Sequence, residues 1–312
     1  MNDKIQRDER VVIFGFGAQG KAQALNLKDS GREVTVYLRP GSPRIAEARE
    51  AGILVQTDAR RAAAEALVAV LLIPDGEQPP FYKEVLDGHL PKGAMLLFAH
   101  GFSIHYERIV PRPDLDVALA APMAQGATVR SDFAAGSGVP VLLAISQDAT
   151  GRAQERATAY ARGISRAGPF IDTTFAEEVE TDLFAEQAVL CGGMPELVRA
   201  AFDTLVEGGA NPQIAYFCCL KELRAIVALM DSHGIAGMRG RISDTALYGA
   251  LTRGPRVAGQ DSREQMRRIL EEIRSGEFAR ELKEEQEGGK ETLRRLRDAD
   301  LCHPIEAFSR RH

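Results

Sequence analysis

The stretch "VVIFGFGAQG" constrains this chain more than any other ten residues. Four apolar residues run into a turn that spaces Gly15, Gly17 and Gly20 as G-x-G-x-x-G, and a helix-compatible segment follows. Glycine lets such a turn form and lets backbone N–H groups approach a pyrophosphate, whose charge the N-terminus of a helix favours. The motif alone is a weak signal. Here it has the strand–turn–helix context that dinucleotide binding requires, with a second strand, "EVTVYL", just downstream. Gln19, in the same turn, is assigned to the cofactor with the three glycines.

The end of that second strand selects the nucleotide. A site for NAD usually places Asp or Glu there to bind the ribose 2′-hydroxyl, whereas this chain reads "YLRPGSPR". Arg39, Ser42 and Arg44 offer two guanidinium groups and a hydroxyl, a set that suits a 2′-phosphate and hence NADP. The alternative is an exposed loop with its arginines in water, and Pro40 and Pro43 stiffen the loop enough to aim them elsewhere.

Further apolar runs, "ALVAVLLIP", "AMLLFAHG", "VALAAP" and "VPVLLAIS", are strand candidates, and helical patterns over 21–30 and 44–51 lie between the early ones. Strands spaced by helices predict an α/β Rossmann domain with a mostly parallel, doubly wound sheet, assigned to 1–178. Near Asp172 the pattern changes to helix after helix, so 179–312 is expected to be all-α. Segment 215–230 is apolar on most sides and is expected to be buried. The last fifty residues carry mixed charge at helical spacing, the pattern of a solvated surface.

At 312 residues the chain has room for about two domains. A formal charge of −5 argues against nucleic acid as a partner. No apolar run approaches the roughly 18 residues of a membrane span. The polar start "MNDKIQRDER" lacks a signal-peptide core, and the four cysteines form no C-x-x-C pair. A reducing, cytoplasmic setting is the expectation.

Two acidic features carry chemistry. Asp182 and Glu186 stand four residues apart and share a helix face among apolar neighbours. Paired carboxylates repel unless a proton or cation relieves them, and Mg2+ is a natural counter-charge; a solvated helix edge is the alternative. Glu222 lies in the apolar stretch "AYFCCLKELRAIVALM", where a charge needs a partner. One turn before it stands Cys218, a poor ligand for Mg2+.

Taken together, "GFGAQGKAQALNLKDSG", "LLIPDGEQPP", "FAHGFSIH", "ETDLFAEQAVLCGG", "GIAGMRGRISDTALYG" and "HPIEAFSRR" resemble the short form of the ketol-acid reductoisomerase family over nearly the whole chain. The resemblance implies an NADPH- and Mg2+-dependent enzyme of branched-chain amino-acid synthesis. It also implies that a knotted all-helical domain follows the Rossmann domain, and that a homodimer or an assembly of dimers completes each active site. Matched residue by residue, the family's cofactor positions fall on Gly15, Gly17, Gln19, Gly20, Arg39, Ser42 and Gly101, while Arg44 stands where a serine is usual. The catalytic-loop histidine falls on His100 and the metal carboxylates on Asp182, Glu186 and Glu222. The serine that holds the substrate carboxylate falls on Ser243.

The departures cluster. Where the family reads A-P-K-G-P-G-H, this chain reads "APMAQGA": the lysine is Met123 and the histidine is Ala127. The first glutamate of the later acidic pair is Cys218, and a further glutamate is Leu247. Alkyl migration in the parent reaction needs an alkoxide and a polarised carbonyl held together, so it depends most on the metals and the lysine. The expectation is a member that keeps hydride transfer, loses most of the isomerisation and takes another hydroxy- or keto-acid. An uncharged wall also tolerates a cationic substrate. On chemical grounds the chain is similar to the family type that forms the cyclopropanol ring of the malleicyprol warhead from a sulfonium hydroxy acid, a reaction that uses NAD. The parent reductoisomerase and a simple keto-acid or imine reductase are the alternative activities.

Overall fold

The computed structural model describes residues 9–309. Most of the polar start, and the end of "HPIEAFSRR", lie outside them. Internal contacts divide the chain into two compact units, Met1–Val179 and Glu180–His312, and the division falls within the helix Phe175–Ala185.

The first unit is built on an eight-stranded sheet. Its strands are β1 Val11–Phe14, β2 Val34–Tyr37, β3 Leu54–Gln56, β4 Val68–Leu71, β5 Met95–Phe98, β6 Asp116–Pro122, β7 Val141–Gln147 and β8 Phe170–Asp172. They lie in the order β3-β2-β1-β4-β5-β6-β7-β8. Every pairing is parallel except β6 with β7. The order reverses between β1 and β4, the position at which doubly wound sheets bind ligands beyond the strands' carboxyl ends.

Alternation along each strand explains why the apolar runs are continuous. Val11, Ile13, Val70 and Leu97 pack into the core on one face, while Val12, Phe14, Leu71, Leu96 and Phe98 pack into the core on the other. Two strands have no counterpart in the apolar runs read from sequence. β3 and β8 are three-residue strands, and β8 forms one edge of the sheet with Ile171 and Asp172 exposed. Too little of either is buried to leave an apolar signature.

The second unit is entirely helical, with helices Gly193–Glu207, Pro212–Tyr216, Leu223–Arg239, Asp244–Val257, Gln260–Arg274, Glu277–Glu287, Glu291–Cys302 and Glu306–Ser309. Its small core gathers Val198, Phe202, Ala215, Tyr216 and Ile305. One expectation is corrected here. Of segment 215–230 only Ala215 and Tyr216 are buried, while Phe217, Leu220 and Val227 are exposed. The helix presents apolar residues on more sides than this chain covers. Among the described residues no helix is long and apolar enough to cross a membrane.

Candidate active site

The glycine turn has the geometry its residue types demand. Gly15 adopts φ +115°, and a Cβ there would sit 2.5 Å from the Leu72 carbonyl oxygen. A Cβ on Gly20 would sit 2.4 Å from the Gly15 oxygen, so the helix Ala18–Asp29 packs tightly on its own strand. Gly17 is different. A Cβ there would meet only Arg44 Nη1, at 3.8 Å, and no side chain caps the helix that Gly17 begins. Two glycines build the turn and the third keeps its outer side open, where uncapped first-turn amides suit a pyrophosphate.

The loop after β2 is a tight turn over 39–42. The Ser42 amide donates to the Arg39 carbonyl at 3.0 Å, with Pro40 at the second position and Gly41 at φ +77° in the third. Arg39 is left exposed. Arg44 is drawn back: its Nη1 donates to the Phe16 carbonyl of the glycine turn at 2.8 Å. One arginine is therefore held against the pyrophosphate turn and the other is free in water. The uncapped helix and these cations fit a nicotinamide dinucleotide.

Beyond β5, His100 Nδ1 lies 3.0 Å from Glu178 Oε1, and the Gly101 amide donates to Glu178 Oε2 at 2.8 Å. A carboxylate oxygen accepts, so this contact favours the imidazole tautomer with its proton on Nδ1. Glu178 is 2% exposed. Gly101 has to be glycine because a Cβ would meet Phe175, Glu178 and Val179 at 2.9–3.0 Å. Gly101, assigned to the cofactor from sequence, has its N–H bonded to Glu178. Burial pushes the nearby Asp75 carboxyl above its usual range, opposed by the positive fields of His100 and Arg108.

Glu178 is a site residue that reading the sequence overlooked, although its signal was present. It stands one turn before Asp182 as Asp182 stands before Glu186, so three acids ladder along one helix face.

The "APMAQGA" loop leaves the carboxyl end of β6 and is tied at both sides. The Met123 amide donates to the Pro140 carbonyl at 2.9 Å, and Gln19 Nε2 donates to the Ala124 carbonyl at 2.8 Å. The Met123 side chain is 58% exposed. Arg130, the nearest ionisable residue, is spent on Asn26 at 2.8 Å and Asp29 at 2.7 Å. The loop itself offers no acid or base.

In the second unit, Asp182 and Glu186 are exposed and belong to the helix that bears Glu178. Glu186 opens a π-turn, with the Cys191 amide bonded to its carbonyl at 2.8 Å, and Glu222 closes another, its amide bonded to the Phe217 carbonyl at 3.1 Å. Such local widening of a helix is frequent at functional sites. Glu222 and Cys218 are exposed, so the carboxylate is solvated in this chain and does not need the partner that its apolar surroundings implied. Ser243 caps the helix Asp244–Val257, its Oγ accepting from the Ala246 amide at 3.3 Å. Leu247 lies half-buried one turn on. Asp182, Glu186 and Glu222 carry the hard oxygen donors that a divalent ion such as Mg2+ takes, but among the described residues the three carboxylates do not converge on one point in the single chain.

Known proteins align with both units. Residues 5–168 match the family model described as "Acetohydroxy acid isomeroreductase, NADPH-binding domain", and residues 175–311 match "Ketol-acid reductoisomerase, C-terminal domain". The solved NADH-preferring ketol-acid reductoisomerase from an uncultured archean is 38% identical, with a TM-score of 0.95 over 99% of this chain and 95% of that one. Two more distant structures share the fold alone. A putative oxidoreductase from Jannaschia sp. CCS1 is 16% identical, with a TM-score of 0.64 over 85% of this chain and 97% of its own. A semialdehyde dehydrogenase NAD-binding protein from Cupriavidus necator, solved with calcium and NAD, is 19% identical, with a TM-score of 0.63 over 86% and 99%.

Proposed function

The chain belongs to the ketol-acid reductoisomerase family and is an NAD(P)-dependent oxidoreductase; on that premise we propose that it transfers hydride to or from a hydroxy- or keto-acid other than the family's own substrate, with isomerisation of 2-acetolactate lost or severely reduced. One observation carries this reading. At the carboxyl end of β6, where the family model of catalysis calls for a lysine, the loop holds an exposed, uncharged Met123 and no other acid or base. Loss of a positioned acid–base group costs roughly 10²–10⁴-fold. Isomerisation feels that loss most, because its alkoxide and carbonyl both need cationic support.

What remains suits hydride transfer. The glycine turn, with Arg44 bound to its Phe16 carbonyl, would hold the cofactor's phosphates. Arg39, exposed beside Ser42, would meet a 2′-phosphate, so NADP is the proposed cofactor. His100, oriented by Glu178, would serve the oxygen that gains or loses a proton as hydride moves. Asp182, Glu186 and Glu222 would hold Mg2+, which when bound polarises a chelated keto-acid. Ser243 would take the substrate carboxylate. A homodimer is proposed, since apolar helices of the second unit stay exposed in the single chain, and a cytoplasmic setting is proposed from the four unbridged cysteines.

A second reading rests on the Met123 thioether itself. An uncharged, polarisable wall accepts a sulfonium group that a lysine would repel. Oxidation of a sulfonium hydroxy acid by NAD, ring closure with loss of the dialkyl sulfide, and return of the hydride would form a cyclopropanol with no net redox change.

The test is anaerobic turnover with Mg2+ and either NADPH or NADH. Reduction of 3-hydroxy-3-methyl-2-oxobutanoate, which bypasses isomerisation, is expected at a rate at least about 100-fold above 2-acetolactate turnover. Comparable rates on both would sink the repurposed reading, and the parent reductoisomerase activity would stand. Sulfide release from a sulfonium hydroxy acid supplied with NAD would favour the second reading.

A further inference from the structure

The helix Ala18–Asp29 carries a polar stripe where an apolar one is expected. Gln19, Gln23 and Asn26 recur at helical spacing, and Gln23 and Asn26 are fully buried. Buried amides are costly unless satisfied, so where their hydrogen bonds go is informative. Gln19 and Asn26 both reach the segment that begins with the altered "APMAQGA" loop, Asn26 Nδ2 donates as well to the Ile164 carbonyl at 2.9 Å, and Gln23 links Gln19 to Tyr160.

We propose that Gln19 is a positioning residue that holds the Met123 loop against the dinucleotide turn, as the last link of a hydrogen-bond chain that starts at Tyr160. The Tyr160 hydroxyl donates to Gln23 Oε1 at 2.6 Å. Gln23 Nε2 then donates to Gln19 Oε1 at 3.1 Å, and Gln19 Nε2 donates to the Ala124 carbonyl at 2.8 Å. The chain runs one way only. The Ala124 carbonyl cannot donate, so Gln19 must turn its NH2 group toward the loop and its oxygen toward Gln23. At the far end, burial pushes the Tyr160 hydroxyl far above its ordinary range, so it stays a phenol and a donor. Both polar ends of the Gln19 side chain have a partner within the protein, so its amide is oriented toward the loop.

The rest of the contact has the same purpose. Gly126, at the start of the helix Gly126–Ala134, comes so close that a Cβ would lie 2.3 Å from the Ala18 carbonyl oxygen. Asn26 Nδ2 donates to the Val129 carbonyl at 3.1 Å, and Arg130 returns a bond to Asn26 Oδ1 at 2.8 Å. The turn that would take the pyrophosphate and the loop that bears Met123 thus move as one piece.

Gln19→Met keeps the length of the side chain and removes donor and acceptor, while Gln19→Glu keeps only acceptors. Position 19 is half-exposed, so both variants should fold. Amide hydrogen exchange across 123–129 is expected to speed up by about tenfold or more in each. Dissociation constants for NADPH and NADH should stay within about threefold of the parent. Tyr160→Phe, which touches neither loop nor turn, should raise exchange in the same segment more weakly, because the Gln23 amide is no longer oriented. Unchanged loop exchange with a tenfold weaker nucleotide would overturn the proposal and make Gln19 a cofactor ligand. An unmoved loop in Tyr160→Phe would overturn the relay. A kinetic arm rests on the proposed oxidoreductase reading: KM for 3-hydroxy-3-methyl-2-oxobutanoate should rise more than kcat falls in Gln19→Met. If the parent protein fails to turn that substrate over, the functional reading fails while the exchange result still decides the role of Gln19.

Discussion

The two units of this chain treat apolar residues differently. In the first, the strands β1, β4 and β5 are buried throughout, and the few exposed large apolar residues, Leu54, Val110, Met123 and Ile171, are scattered. In the second, Phe217, Leu220, Val227, Tyr248, Leu251 and Val257 are all exposed on its central helices. A doubly wound sheet is closed by its own crossover helices, so each strand finds cover within the same unit. A helix that is apolar on most sides needs a neighbour on each of them. The sheet strands of the first unit find their cover within it, and the second leaves apolar side chains uncovered on several helices. The proposed homodimer answers that difference.

The comparison breaks or sharpens under substitution. Leu97→Ala, at a fully buried position of β5, is expected to cost about 2–5 kcal/mol in chemical denaturation. Asp182→Asn should weaken Mg2+ binding by about 100-fold, read by calorimetry, and leave NADPH binding unchanged; an unchanged Mg2+ affinity would remove Asp182 from the metal set. Glu178→Gln has one oxygen for two donors, the His100 ring and the Gly101 amide. Its hydride-transfer rate should fall by about 10²-fold, and full activity would show that the tautomer of His100 needs no holding.

Smaller effects test the other side. Leu251→Ala, half-exposed in the single chain, should change the stability of the monomer by less than about 1 kcal/mol while raising the dimer dissociation constant in sedimentation. A stability loss as large as that of Leu97→Ala, with association untouched, would break the comparison. The smallest effect belongs to Asp75, whose carboxyl is raised by burial. A raised carboxyl stabilises the fold at low pH and loses that contribution as pH rises through its folded value. Asp75→Asn should therefore raise Tm by about 1–2 °C at pH 7, and the gain should vanish as pH falls below the usual carboxylate range.

Much of the site was legible before the fold. Gly15 and Gly20 announce themselves because a left-handed backbone and a close approach each exclude a side chain. Asp182 and Glu186 do so because helical spacing puts them on one face. Glu178 obeys the same spacing and escaped notice because nothing in the sequence shows that His100 and the Gly101 amide, some 78 and 77 positions away, are its partners. The strands β3 and β8 escaped because three residues with little burial leave no apolar pattern. The exposure of 215–230 escaped because an apolar helix states only what it would bury, and the covering surface is not part of the segment.

The division follows the range of the interactions. By itself the sequence determined the glycine turn, the alternation of strands and helices, the acidic ladder and the loss of a cation at Met123, since backbone conformation, periodicity and side-chain charge are properties of neighbouring residues. Only the tertiary structure decided that Arg44 turns back onto the Phe16 carbonyl, that Glu178 holds His100, and that Gln19 bonds to Ala124 across 105 positions. Those contacts form because the sheet order brings distant loops to one edge, and no local propensity encodes which loops will meet.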